Sequence, residues 1–344
     1  MNKKFSELFP RNSKEQPEAS PEPNTRREFL RRVGWGAAGL ALGGAAWNLL
    51  PSGARAATSP DARPATGTLT SSTPPPDGPV ELAVFKGENP GEICRQAVEA
   101  LGGMKRFVKK GDVVVVKPNI GWDRTPEQAA NTNPEVVAAL VAMALDAGAS
   151  RVKVFDNTCQ NQRSCYARSG IQEAATKAGA LVIPFSNDRC RTVKVPNGEF
   201  LTEWPVFIDA LEADCYINCP IAKVHGLTRV TLGMKNVMGA IGGKRGQWHT
   251  RCDEAISEFL GVIKPQLTVI DAYRILIANG PSGGSLDDVR MPKLCFASTD
   301  PVAIDARAAD LFGYKPDQLK FIPLAAARGF GQMDLSKVRT LEKI

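Results

Sequence analysis

The sequence predicts an α/β fold: a largely parallel central sheet with flanking helices and a small antiparallel β insertion. Three observations carry this. From residue 80 onward, short β-branched apolar runs alternate with amphipathic stretches, the rhythm of strands joined by crossover helices. The run Val113–Val116 is apolar on both faces, as a strand covered by helices on either side must be. Between residues 186 and 208 the rhythm breaks into two short strands around Pro196-Asn197-Gly198, a hairpin signature.

Taken in order, Val80–Lys86 reads as a strand and Gly91–Leu101 as a helix, with Ile93, Ala97, Val98 and Leu101 on one side. Asp112–Lys117 is a buried central strand. The loop after it runs about fifteen residues, longer than a plain connection needs. Asn133 then caps a helix opened by Pro134, and Val136–Ala147 runs to Gly148. Arg151–Asp156 is the next strand. The loop Asn157–Arg168 leads to a helix at Ile171–Ala178 that Gly179 ends, and Leu181–Phe185 is a short strand. Arg191–Val195 and Phe200–Val206 form the hairpin, and Asp214–Cys219 resumes the sheet. Glu254–Ile263 reads as a helix, Leu267–Asp271 and Leu294–Ser298 as strands, and Pro301–Phe312 and Pro316–Arg328 as helices.

A chain of 344 residues, 43% hydrophobic and 23% charged, has the composition of an ordinary globular protein. Its net charge of +7 suggests nucleic acid until its location is read. Residues 1–56 hold nine Lys and Arg against five Asp and Glu. The remainder is close to balance, so no nucleic-acid partner is expected.

Those first residues read as an export signal. Thr25-Arg26-Arg27-Glu28-Phe29-Leu30 has the twin-arginine pattern, Val33–Leu50 is a mildly apolar run, and Ala54-Arg55-Ala56 offers a small-residue cleavage site. An uncleaved membrane anchor is the competing reading, weakened by the glycines thinning that run. Residues 57–79, rich in Pro, Ser and Thr, form a tether, and 80–344 form one domain. The expected protein passes through the twin-arginine translocase and ends soluble, periplasmic or otherwise extracytoplasmic, with no stable membrane anchor. Of eight cysteines none forms a C-x-x-C pair, so no ferredoxin-type iron–sulfur motif is spelled out. Cys159–Cys165 is the local pair an oxidising compartment would join, against the plainer expectation of free thiols.

In open α/β sheets, ligands sit at the carboxyl ends of the strands. Here five strands end in polar residues: Lys117-Pro118-Asn119, Asp156-Asn157, Asn218-Cys219-Pro220, Asp271, and Ser298-Thr299-Asp300. Turn formers and helix caps also fall at strand ends, and Asp300 before Pro301 fits an N-cap. The stretch Ile217–His249 adds both histidines of the chain, His225 and His249, with Lys223, Lys235, Asn236, Lys244, Arg245 and, among its glycines, Gly233, Gly239, Gly242, Gly243 and Gly246, and lacks any acid.

Three chemistries suit that stretch. Its glycines and cations fit a small anion, with Lys117, Asn119, Asn218, Asn236, Lys244 and Arg245 as binding candidates. His225, His249, Asp156, Asp271 and Asp300 together would suit a divalent transition metal. His225, with Lys223 and Lys235, could perform acid–base catalysis. Gly233 and Gly239 each cost an ordinary helix roughly 1 kcal/mol relative to Ala, which a close backbone approach would explain.

The order of these motifs resembles a family known as domain of unknown function 362. The resemblance spans residues 80–334. It rests on Lys117-Pro118-Asn119, Thr132-Asn133-Pro134, Asp156, Asn218-x-Pro220-x-x-Lys223-x-His225 and Lys235-Asn236-x-x-Gly239. It continues through Asp271, Gly280-Pro281, Ser298-x-Asp300-Pro301-x-Ala303-x-Asp305 and Gly329-x-Gly331. The resemblance implies no established reaction. Some members carry ferredoxin-like cysteines and are labelled iron–sulfur proteins; this chain lacks that motif. The expectation is an exported enzyme or ligand-binding protein for a small carboxylate or phosphate compound, metal-assisted or not. The alternative is a non-catalytic periplasmic metal-binding or redox accessory protein.

Overall fold

A computed structural model describes residues 78–344. The expected export signal and all but the last two residues of the tether lie outside them. Among the described residues no helix is long and apolar enough to cross a membrane.

The chain runs β1 (Leu82–Lys86), α1 (Pro90–Ala100), β2 (Val113–Pro118), α2 (Pro134–Asp146), β3 (Arg151–Val154), α3 (Gln162–Arg168), α4 (Ile171–Lys177) and β4 (Leu181–Val182). A separate antiparallel hairpin follows, β5 (Cys190–Lys194) and β6 (Glu203–Phe207), then a turn of helix α5 (Ile208–Leu211). The sheet resumes with β7 (Cys215–Cys219), β8 (Ile221–His225) and β9 (Arg229–Thr231), and α6 (Gly233–Asn236) and α7 (Cys252–Phe259) come next. The remainder is β10 (Leu267–Leu276), β11 (Val289–Arg290), β12 (Leu294–Ser298), α8 (Pro301–Ala308), α9 (Phe321–Ala327) and β13 (Thr340–Lys343).

The main sheet has the order β13-β1-β12-β10-β7-β2-β3-β4. It is parallel from β10 through β4, and β12 runs antiparallel to both neighbours. The period of two sorts the core. On β2, Val114 and Val116 pack under α1 and α2, while Val115 packs on the opposite side with Phe155, Tyr216 and Val237. Lys117 follows Val115 onto that second side, at the strand's carboxyl end.

One irregularity shapes everything beyond the sheet. Cys215–His225 is a single extended path broken at Pro220, which has no N–H for a ladder. Before the break β7 lies between β2 and β10. After it β8 continues beside β10, through Asp271↔Ile221, with β9 on its other edge. Because β2 has ended at Pro118, β8 leaves a recess above the strand ends of β2 and β3. The sequence reading stopped this strand at Cys219 and missed both β8 and β9. It also placed no helix at 162–168, where Asn161 caps α3 through the Ser164 N–H.

Candidate anion site

The recess is a cavity of about 460 Å³. Four cationic side chains line it, Lys117, Lys223, Lys235 and Arg245, and one carboxylate, Asp156. His225, His249, Asn119, Asn236 and Thr231 add polar groups, while Trp122, Met238 and Pro281 give an apolar wall.

The three lysines are buried, 0% exposed at Lys117, 1% at Lys223 and 8% at Lys235, yet they are partnered very differently. Lys117 is locked. Its Nζ meets Asp156 Oδ1 at 2.7 Å and donates to Pro118 O at 2.8 Å and Asn236 Oδ1 at 3.0 Å. Lys223 donates to two acceptors, Ala130 O at 2.5 Å and Asn119 Oδ1 at 3.0 Å. Lys235 has no oxygen partner among the described residues; its Nζ reaches only the Met238 sulfur, 3.4 Å away. Burial lowers the pKa of all three. For Lys223 it falls to about 7, burial outweighing the Cys159 and Asp156 charges, with Lys235 and Lys117 pushing the same way as burial.

His225 is held in one tautomer. Its Nδ1 accepts the Leu227 N–H at 3.1 Å, so a neutral ring carries its proton on Nε2. Burial, then the Lys235 and Lys223 charges, bring its pKa down to about 3. At neutral pH His225 is therefore an uncharged hydrogen-bond donor. The acid–base role expected of it does not suit this geometry, since Nδ1 is occupied and Nε2 already holds its proton.

The glycine-rich stretch closes the cavity from above. Gly239 passes so close to the ion pair that a methyl there would lie 1.7 Å from Asp156 Oδ1 and 2.3 Å from Lys117 Nζ. At Gly233 a methyl would fall 2.7 Å from Asp305 Oδ1, whose carboxylate accepts the Gly233 and Met234 N–H groups at 2.7 and 2.9 Å. Both glycines thus answer to a close approach. Asn236 ties the layers together, donating to Asn218 Oδ1 and Lys117 O and accepting from Lys117 and Asn119.

Several sequence candidates stand elsewhere. Asn218 is buried behind the wall and donates to Gly233 O, so it holds the loop. Lys244 is solvent-exposed and off the cavity. Asp271 accepts the Asn133 and Tyr273 N–H groups, and Asp300 caps α8 through Val302 and Ala303 and also accepts Gln332 N–H; neither lines the cavity. The five-residue metal set is therefore not assembled. His225, His249 and Asp156 share the wall, but among the described residues no three His, Cys, Asp or Glu side chains form a group that could hold a metal ion. Arg245 does reach the site, its guanidinium donating to Asn157 O and Thr158 O at 2.6 and 3.0 Å. Cys159 and Cys165 are free thiols, the first exposed at the cavity rim and the second buried.

The model of the family described as a domain of unknown function, DUF362, matches residues 114–310. This chain belongs to the DUF362 family. A thylakoid-associated protein of Synechocystis sp. is 30% identical over 242 residues, spanning 68% of this chain and 72% of that protein. Among solved structures, the lactate racemase apoprotein of Thermoanaerobacterium thermosaccharolyticum is 11% identical at a TM-score of 0.40, over 69% of this chain and 58% of its own. A Thermotoga maritima protein is 13% identical at a TM-score of 0.35, over 68% and 60%. The DUF362 chain spans less than two thirds of either structure, and likenesses this partial bear on no chemistry.

The matched DUF362 region includes every residue that lines the cavity. Reading the sequence alone missed Trp122, Thr158, Cys159, Thr231 and Met238. Thr231 had a signal, two residues before Gly233, but only β9 turns it inward. Its Oγ1 is buried without a hydrogen-bond partner among the described residues.

Proposed function

We propose that this DUF362 protein binds a small organic anion in the recess beyond β2 and β3, as an exported enzyme or ligand-binding protein. The observation that carries this is Lys235. An ammonium nine-tenths buried, whose one hydrogen-bond partner among the described residues is a thioether sulfur, is costly unless an anion completes it. The unpartnered Thr231 hydroxyl and the neutral Nε2–H of His225 supply directional donors beside it. Trp122, Met238 and Pro281 accommodate an apolar portion, as small-molecule sites do. A cavity of about 460 Å³ suits a metabolite-sized molecule.

The test pairs binding with stability. Carboxylates and phosphates are screened by thermal shift and calorimetry against the purified protein and Lys235→Met. Methionine removes the unpaired charge, so the ligand-free variant gains on the order of 1–4 kcal/mol, the range for exchanging buried charge for apolar packing. Its anion affinity drops about 10- to 100-fold, as expected for one charged hydrogen bond. A variant that is destabilised yet binds as well as the parent would refute the reading.

A further inference from the structure

A different observation, at Lys223, assigns a chemical class to the ligand, and it rests on the anion reading above. Lys223 and His225 are two residues apart on β8, so their side chains leave the same face, and both line the cavity. Lys223 Nζ donates to Ala130 O and Asn119 Oδ1, with no third acceptor among the described residues. Two acceptors satisfy the two N–H bonds of a neutral amine and leave its fourth tetrahedral position to the lone pair. The contrast with Lys117, whose three positions are all engaged, is one of geometry alone.

We propose that Lys223 is a nucleophile that forms an imine with a small 2-oxo acid, whose carboxylate rests on Lys235 and whose carbonyl oxygen accepts the His225 Nε2–H. The Nζ lone pair attacks the carbonyl carbon, a C–N bond forms, and the C=O π pair moves to the oxygen. The nitrogen releases one proton and the oxygen takes one up, giving the carbinolamine. The oxygen takes up a second proton from solvent and leaves as water as C=N forms, and the iminium nitrogen returns its remaining proton to solvent. One amine and one carbonyl give one imine and one water, so no oxidant or reductant is needed. Burial also keeps a large share of the Lys223 amine unprotonated near pH 7, the condition lysine nucleophiles require. His225 polarises the carbonyl as a neutral imidazole and keeps its proton.

The full-length protein is incubated with pyruvate, glyoxylate or 2-oxoglutarate, reduced with borohydride, digested and analysed by mass spectrometry. The expected product is one reduced adduct per chain on the peptide carrying Lys223, suppressed by excess lactate, which has the carboxylate but no carbonyl. Lys223→Arg places a permanent positive charge there, which preserves the attraction for an anion, and loses the adduct. No adduct at Lys223 with any of the three acids overturns the imine proposal, as does labelling that lactate leaves unchanged. Thermal stabilisation by the same acids separates the two failures: if it persists without an adduct, the anion site stands and the nucleophile falls. If neither they nor phosphate stabilise the protein, both fall.

Discussion

Three buried lysines of one cavity show how partners, more than residue type, decide what a side chain can do. Lys117 is saturated and serves the fold, Lys223 is satisfied as an amine, and Lys235 lacks an oxygen partner among the described residues. The titration of Lys223 gives a pH prediction. It faces Asn119 and Ala130 as acceptors, the Asp156 and Cys159 charges, which favour its ammonium, and Lys235 and Lys117, which oppose it. An anion favours the ammonium, so the bound pKa rises above about 7. Affinity for a non-carbonyl anion is flat below that pH and falls above it, by up to about one decade per unit for one linked proton. Calorimetry in buffers of different ionisation heat should show proton uptake at pH 8 and little at pH 6. Affinity independent of pH from 6 to 9 would remove Lys223 from the site. His225, with its pKa near 3, should show no titration between pH 5 and 8 in its ring NMR signals, and shifts typical of the Nε2–H tautomer throughout. A midpoint near 6.5 would contradict the neutral-donor role.

At the scale of elements, the sequence showed the strands and helices with strong periodicity and hid those defined by partners. β2 and α2 were legible because Val113–Val116 is apolar on both faces and Asn133-Pro134 opens a helix with its own cap. β8 and β9 were not, because Pro220 looks like a strand end and only pairing with β10 carries the path onward. Strand ends located the site, yet could not separate Asp156, held over the cavity by Lys117, from Asp271 and Asp300, turned to backbone N–H groups. Asp305 passed as part of a motif, although its carboxylate seats the start of α6. The segment around Gly239 tests how tightly these elements fit. Gly239→Ala would push a methyl into the Lys117–Asp156 pair, and separating a buried pair costs about 3–5 kcal/mol. Urea unfolding should show that loss together with weakened anion binding. A loss below about 1 kcal/mol would mean that the loop relaxes freely and the close approach is incidental.

Over the whole molecule, the same buried charges make the ligand-free fold depend on pH in an uncommon way. Asp271 and Asp305 have pKa values raised by burial to about 6 and about 7. A carboxyl whose folded pKa exceeds its unfolded one holds its proton more tightly when folded, so its contribution to stability is lost as pH rises toward those values. Lys223 works in the other direction. Its folded pKa of about 7 lies below the ordinary 10.5, so the folded state binds fewer protons and stability rises with pH above 7. His225, depressed to about 3 from 6.5, adds a rise between those values that offsets one of the two carboxyls. The balance is a fall of about one proton's worth between pH 4 and 6, a level stretch to about 6.5, a further fall to 7, and a rise from 7 to 9. One linked proton corresponds to about 1.4 kcal/mol per pH unit. Unfolding free energy of the ligand-free protein should therefore pass through a minimum near pH 7. A saturating anion raises the Lys223 pKa toward its unfolded value, so it should flatten the rise above pH 7 and leave the acid limb in place. Stability that peaks at pH 7 without ligand would show that the buried lysines are compensated within the fold itself, and the case for an anion completing Lys235 would go with it.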